Sequence, residues 1–225
     1  MTRKRVFWST TIGKKTVMAV SGLILVGFLL AHMLGNLKIF FGVTDFDSYA
    51  GWLRTIGEPA LHYAWFLWIL RAVLIVAVIA HVTAAVQLSI RDRRARPIRY
   101  VHGQRAKATF ATSTMRWGGG ILALFVIWHL LDLSIGVVNP DFEAGKPYHN
   151  VVVDFQLWWV NLIYIAAVLA LGLHINHGFW SAAQTLGINK PARDRAIKAV
   201  GSTLAFVITA GFVMVPVAVM TGLVN

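Results

Sequence analysis

Residues 155–189 read FQLWWVNLIYIAAVLALGLHINHGFWSAAQTLGIN, and none of them is charged. A helix crosses the hydrocarbon core of a bilayer in about 20 residues, so this stretch can span it and reach both interfaces. Trp158 and Trp159 stand at one end, where an aromatic belt meets the headgroups. Four other stretches share its character. Residues 16–37, 72–90 and 199–225 are free of charge, and the apolar run at 117–131 continues past Asp132 to 138. None shows the period-2 alternation of a membrane β-barrel. The chain of 225 residues is 57% hydrophobic with a mean hydropathy of +0.66, which excludes an ordinary soluble domain. The expectation is all-α: a single transmembrane domain over 1–225, with spans at 16–40, 60–90, 115–138, 155–187 and 198–222. Pro216 is placed to kink the last span, which membrane helices tolerate.

A net charge of +12 invites a nucleic-acid reading, but its distribution argues against one. Most of the basic residues fall in the N-terminal tail, the segment 91–116 and the segment 190–198, all on one side of the five-span topology. Lys38, Arg54, Arg71 and Lys146 are on the other side, with most of the acids. The positive-inside bias puts the N-terminus in the cytoplasm and the C-terminus outside. Topology, anionic lipid and a docking surface for a peripheral partner account for the charge, and no nucleic-acid partner is expected. The chain has no cysteine, which excludes thiolate-held clusters, disulfides and covalent haem attachment. No small-residue cleavage signal precedes the first apolar run, so it reads as a retained span of a multi-pass protein.

Four spans carry one deep histidine each: His32, His81, His129 and His174. At about 1.5 Å per residue, His32 and His129 fall in the outer half of the membrane and His81 and His174 in the inner half. The two levels differ by roughly 5–10 Å. An imidazole in a bilayer is costly and usually has a task. Two pairs at two depths suit two b-type haems, each iron held by an imidazole on either face, six-coordinate and used for electron transfer. Lone polar contacts between helices are the bland alternative for each histidine. A clustered metal or proton-relay site is a rival use, although carboxylates are scarce here, with Asp132 near a span end. Gly22, Gly27, Gly118 to Gly120, Gly172 and Gly178 make room either for a flat macrocycle or for close helix contact.

In order along the chain stand FLLAHMLGN (28–36), AHV (80–82), Arg116 ahead of glycines 118–120, IWH (127–129), HINHGFW (174–180) and QTLG (184–187). With these pieces the chain resembles, over nearly its whole length, the single-chain, five-helix, di-haem cytochrome b membrane anchor of succinate:menaquinone oxidoreductases and quinol:fumarate reductases. The resemblance implies a subunit of succinate dehydrogenase, with succinate chemistry on its partners. His32 and His129 would hold the distal haem, and His81 and His174 the haem proximal to the cytoplasmic subunits. The implied partners are a flavoprotein with FAD and an iron–sulfur protein docked on the basic face. Electrons would pass to menaquinone in the bacterial cytoplasmic membrane. The family's ligand stands four residues before a glycine, which favours His174, relative to Gly178, over His177. Some fumarate-reducing relatives carry a glutamate two residues before that ligand; here Gly172 holds the position.

Haem propionates seek cations near the interface, and Arg71, Arg116 and Lys190 are candidates by depth, although each could simply snorkel. A quinone needs a donor in a lipid-accessible cleft. Ser21, Arg116 and His177 would serve an inner site, and Glu58, His62 and Tyr63 an outer one. His102 and His149 read as loop residues. Competing readings are a stand-alone transmembrane b-type cytochrome of another respiratory complex and a haem-free transporter or anchor.

Overall fold

The computed structural model describes residues 7–95 and 110–225, with side chains from 115 in the second block. The basic segment around His102 and the first six residues lie outside the described residues. Helices dominate and no strand occurs among the described residues. They are α1 (Thr11–Leu37), α2 (Val43–Trp52), α3 (Trp65–Arg94), α4 (Phe110–His129), α5 (Pro147–Phe155), α6 (Trp158–Thr185) and α7 (Asp194–Met220). Helices over Thr11–Phe41, Trp65–Arg94, Met115–Ile135, Trp158–Thr185 and Pro191–Met220 are long and apolar enough to cross a membrane. The protein is a multi-pass, all-α membrane bundle.

Local chemistry sets the ends. Thr10 caps α1, its hydroxyl accepting from Gly13 N at 2.9 Å. α6 ends where Gly187 turns left-handed (φ 72°), letting Ile188 N reach Ala183 O at 3.0 Å; Gly222 ends α7 in the same way. α4 passes into a π-helical turn, Leu130–Ile135, stopped by left-handed Gly136. Two expected boundaries move. The first span begins at Thr11, so Lys14 lies inside the helix, buried, donating to Gln87 Oε1 of α3. α3 begins at Trp65 rather than at 60, because the chain from 53 to 64 is a run of turns. The external segments each hold a short helix, α2 and α5, with Pro147 at the first turn of α5, where its missing N–H costs nothing.

Contacts at the two ends fix an alternating topology. At one end, Arg91 donates to Ser9 O at 2.9 Å, and Arg116 lies 3.7 Å from Asp92. This gathers the start of α1, the end of α3 and the start of α4. At the other end, Asp47 of α2 accepts from Tyr148 N at 3.0 Å, and the Tyr148 hydroxyl donates to Asn225 O at 3.2 Å. Ser9 and Asn225 therefore lie at opposite ends of the bundle. α6 is the hub, packing on α1, α4, α5 and α7. The main core sits toward the C-terminal end, built on Ile39, Phe46, Phe155, Val160, Tyr164 and Val219. Elsewhere the long helices turn Val73, Ile75, Val76, Ile79, Leu124 and Phe206 outward, an apolar surface that lipid covers. Trp65, Trp68 and Trp158 are exposed near one rim and Trp117 near the other.

Candidate functional site

The four deep histidines meet in two pairs. The rings of His32 (α1) and His129 (α4) have centroids 5.9 Å apart at 73°. Those of His81 (α3) and His174 (α6) are 6.2 Å apart at 60°. Two imidazoles bound to opposite faces of one metal, each at about 2 Å, have centroids about 6 Å apart. The pairing also matches the two depths expected from the sequence. His177, by contrast, turns its ring toward Trp180 at 6.0 Å, so it is His174 that faces His81.

The hydrogen bonds behind two of these rings assign a tautomer. His81 Nδ1 lies 3.0 Å from Met18 O and 3.3 Å from Ser21 Oγ. A carbonyl only accepts, so Nδ1 carries the proton and Nε2 keeps a bare lone pair. His129 Nδ1 lies 3.2 Å from the Tyr164 hydroxyl, which donates its own proton to Asp132 Oδ2 at 2.6 Å. The phenol oxygen therefore accepts from Nδ1–H, and Nε2 of His129 is bare as well. An imidazole with one nitrogen tied to an outer partner and the other free is what a metal requires. His32 is clamped by rings: Phe28 stacks on it at 5.2 Å and Phe212 stands 5.7 Å away. His174 Nδ1 is buried with no hydrogen-bond partner among the described residues.

Room around the pairs has two sources. α1 packs on α3, α6 and α7, and α4 packs on α6, yet α1 and α4 make no extended backbone contact, nor do α3 and α6. The paired imidazoles thus reach toward each other across gaps between helices. Glycines clear space beside the inner pair. A Cβ at Gly22 would stand 3.1 Å from His81 Cε1, and one at Gly119 would stand 3.7 Å from His174 Cε1. The other glycines divide differently: Gly172 lies against Thr209 and Gly201 against Phe179, which is helix packing. The residues fit two haems: paired imidazoles at metal-bridging separation, bare nitrogens, and backbone held apart. Among the described residues no group of three or more His, Cys, Asp or Glu gathers, and a bis-imidazole centre does not call for one.

The remaining candidates are placed as follows. Ser21 is buried behind His81, donating to Val17 O at 2.7 Å, so it supports that imidazole. Arg116 is exposed and pairs with Asp92. Arg71 is exposed with its guanidinium 4.8 Å over the Trp68 ring, and Lys190 is exposed at the start of a short turn. Glu58, His62 and Tyr63 are exposed on the turns before α3, with His62 on Trp65 at 5.1 Å. His149 is bound to Asp141 O at 3.1 Å, at the start of α5.

Sequence reasoning passed over Tyr164 and Asp154. Asp132 was read as a residue near a span end; it is fully buried, and so is Asp154. The available signal was the spacing of Asp132 from His129 by three residues, but a π-turn separates them and sequence does not announce one. Compared with known proteins, the chain matches no family model, no curated protein and no solved structure.

Proposed function

We propose that this chain is the membrane anchor and electron-transfer subunit of a succinate:quinone oxidoreductase, a five-helix di-haem cytochrome b. The observation that carries the reading is the pair of imidazole pairs at two levels, each at the spacing one iron needs. His32 and His129 would hold one haem, and His81 and His174 the other. A haem so held would supply a one-electron couple. The chain's own residues do the rest. Tyr164, Met18 O and Ser21 orient imidazoles and fix their protonated nitrogens. The apolar helices exclude water, and burial with ligand orientation tunes the couple.

The topology supports the N-terminus in the cytoplasm of a bacterial cell and the C-terminus outside, by the positive-inside bias. Arg91, Arg93, Arg94, Arg116, Lys190, Arg193, Arg195 and Lys198 then lie on the cytoplasmic face. That face suits an iron–sulfur subunit, itself carrying electrons from an FAD-containing flavoprotein. Menaquinone in the bilayer is the proposed exchange partner. Arg116 and Lys190 are the basic candidates for haem propionates or quinone at that face, and Arg71, Glu58, His62 and Tyr63 the polar candidates at the opposite one. His177, near the inner end of α6, is a further inner quinone candidate. Gly172 argues against a transmembrane carboxylate in α6, because a side chain there would run into Thr209.

The test is a reduced-minus-oxidised spectrum of the detergent-purified chain with its co-purifying proteins, with haem measured as the pyridine haemochromogen. Two b haems per chain, with a flavoprotein and an iron–sulfur protein bound, is the expected result. Two haems without those partners would move the chain to a stand-alone b-type cytochrome. Folded, colourless protein would overturn the cytochrome reading.

A further inference from the structure

Tyr164 stands between the outer imidazole pair and two buried carboxyls. Its hydroxyl donates to Asp132 Oδ2 at 2.6 Å, and His129 Nδ1 lies 3.2 Å from the same phenol oxygen. Asp132 is 0% exposed and Asp154, on α5, is 1% exposed. α5 packs on the π-turn that carries Asp132, and the Asp132 charge, after burial, raises the Asp154 carboxyl. Two neighbouring buried carboxyls with no cation beside them disfavour double ionisation, so the pair favours holding one proton. Among the described residues no other donor reaches Asp132 Oδ1 or Asp154 Oδ2.

Among the described residues the surroundings supply no counter-charge. α6 faces the pair with Tyr164 and Asn161, whose amide donates to Phe155 O and Leu157 O. α4 contributes His129. On α5 itself, Tyr148 turns to Asn225 O, and His149 turns to Asp141 O and Glu143, the latter paired with Lys146. On α2, Asp47 accepts from Tyr148 N and Asp45 lies near Lys38. α7 has no titratable side chain after Lys198. Two acids with a hydrogen-bonded lead to one imidazole, and no cation to neutralise them, are placed to answer a change of charge at that imidazole.

We propose that the Asp132–Asp154 pair is the proton acceptor coupled to one-electron reduction at the His32–His129 site, with Tyr164 as the positioning residue that links them. This rests on the haem reading above. The electron would come from a quinol or a reduced iron–sulfur centre, and would take a haem iron held by His32 and His129 from ferric to ferrous. Above the pH at which the oxidised pair ionises, the proton comes from water and the joint charge of the two carboxyls goes from −2 to −1. The phenol keeps its O–H in both states. An added electron close by in a poorly polarisable interior makes the doubly ionised pair costlier, so the proton stays.

Burial and the Asp132 carboxylate push the Asp154 carboxyl up to about 8, which sets where the effect begins. The full chain, purified with its partners, is titrated electrochemically from pH 6.5 to 9.5, each haem followed at its own α-band. The outer potential is expected flat below about pH 8 and then to fall by up to tenfold in equilibrium constant per pH unit, about 59 mV for one electron. The inner potential serves as the control and stays flat. Asp154→Asn should keep both haems and lose the outer slope. Tyr164→Phe, which leaves both acids in place, should weaken it. Infrared spectroscopy gives a readout that needs no haem: a protonated-carboxyl stretch at pH 7, lost at high pH and absent from Asp154→Asn. A flat outer potential in the wild type, or an unchanged slope in Asp154→Asn, would overturn the coupling and leave the cytochrome reading standing. Absence of haem would overturn both. Should Asp154→Asn fail to fold, Asp132→Asn and Tyr164→Phe decide by the same slope.

Discussion

The outer and inner histidine pairs are alike in spacing and unlike in what stands behind them. Centroids differ by little, 5.9 against 6.2 Å. Behind His129 stands a phenol that is itself bonded to a buried acid. Behind His81 stand a neutral backbone carbonyl and a serine hydroxyl. An acceptor that leans on a carboxylate draws more of the Nδ1 proton than a carbonyl does, and makes the imidazole a stronger donor to a metal. As haem sites, the two would have the same ligands and different electronics, with a hydrogen-bonded lead to an acid behind His129 and to neutral groups behind His81.

The largest effects come from deleting a ligand. His129→Ala or His32→Ala should lower haem from two to one per chain and spare the inner α-band. His81→Ala or His174→Ala should spare the outer one. The haemochromogen assay and the difference spectrum together check this. His177→Ala is the sharper contrast, since its ring faces Trp180 and not His81; it should keep both haems. Loss of the inner haem in His177→Ala with retention in His174→Ala would break the inner pairing.

Next in size is Tyr164→Phe. With the phenol oxygen gone, His129 Nδ1–H loses the acceptor that favours the oxidised iron, and the outer potential should rise. Removing such an outer partner typically alters a site about tenfold, or about 59 mV for a one-electron couple. The inner potential should not move. An equal shift at both sites in a redox titration would mean that Tyr164 acts through general packing, consistent with its place in the main core.

Much of this arrangement was legible in the sequence, and the reason differs from part to part. Five spans follow from charge-free runs, because no other structure satisfies a backbone in lipid. The pairing of the four histidines follows from depth, since residue counts from the inner span ends put His32 and His129 in the outer half and His81 and His174 in the inner half. The supports were not legible. Met18 O and Ser21 reach His81 only because α1 packs on α3, and a backbone carbonyl has no sequence signature. Asp154 comes to Asp132 because α5 folds back under the bundle, and nothing in PYHNVVVDF distinguishes that from an external loop. Ser21 and Arg116 share a depth that suits quinone donors, yet Ser21 of α1 lies against His81 and Arg116 of α4 against Asp92, at separate points of α3.

A smaller effect concerns stability. The Asp154 carboxyl is raised to about 8 by burial and by Asp132, whereas in the unfolded chain it is near 4. The folded state thus holds a proton that the unfolded state releases, and stability falls as pH rises from about 4 to about 8. Above that window the contribution is constant. Asp154→Asn should flatten this part of the profile, so that the thermal midpoint of the variant gains on the wild type between pH 5 and pH 8. A constant difference across that range would show that the acid pair carries no proton of its own.

The smallest effect belongs to Ser21→Ala, and it measures how far the inner site depends on neutral partners. The Ser21 hydroxyl donates to Val17 O at 2.7 Å and is 3.3 Å from His81 Nδ1, whereas Met18 O is closer, at 3.0 Å. The carbonyl remains in the variant, so Nδ1 stays protonated and Nε2 stays bare. What is lost is the weaker branch of a shared hydrogen bond, well below the roughly 1 kcal/mol of a full one. The inner potential should shift by about twofold in equilibrium constant, roughly 20 mV, with the outer potential fixed and both haems retained. A shift as large as that of Tyr164→Phe would make the serine the chief partner of His81. The inner imidazole would then be set by a side chain, as the outer one is, and the contrast between the two sites would rest on the carboxyl pair alone.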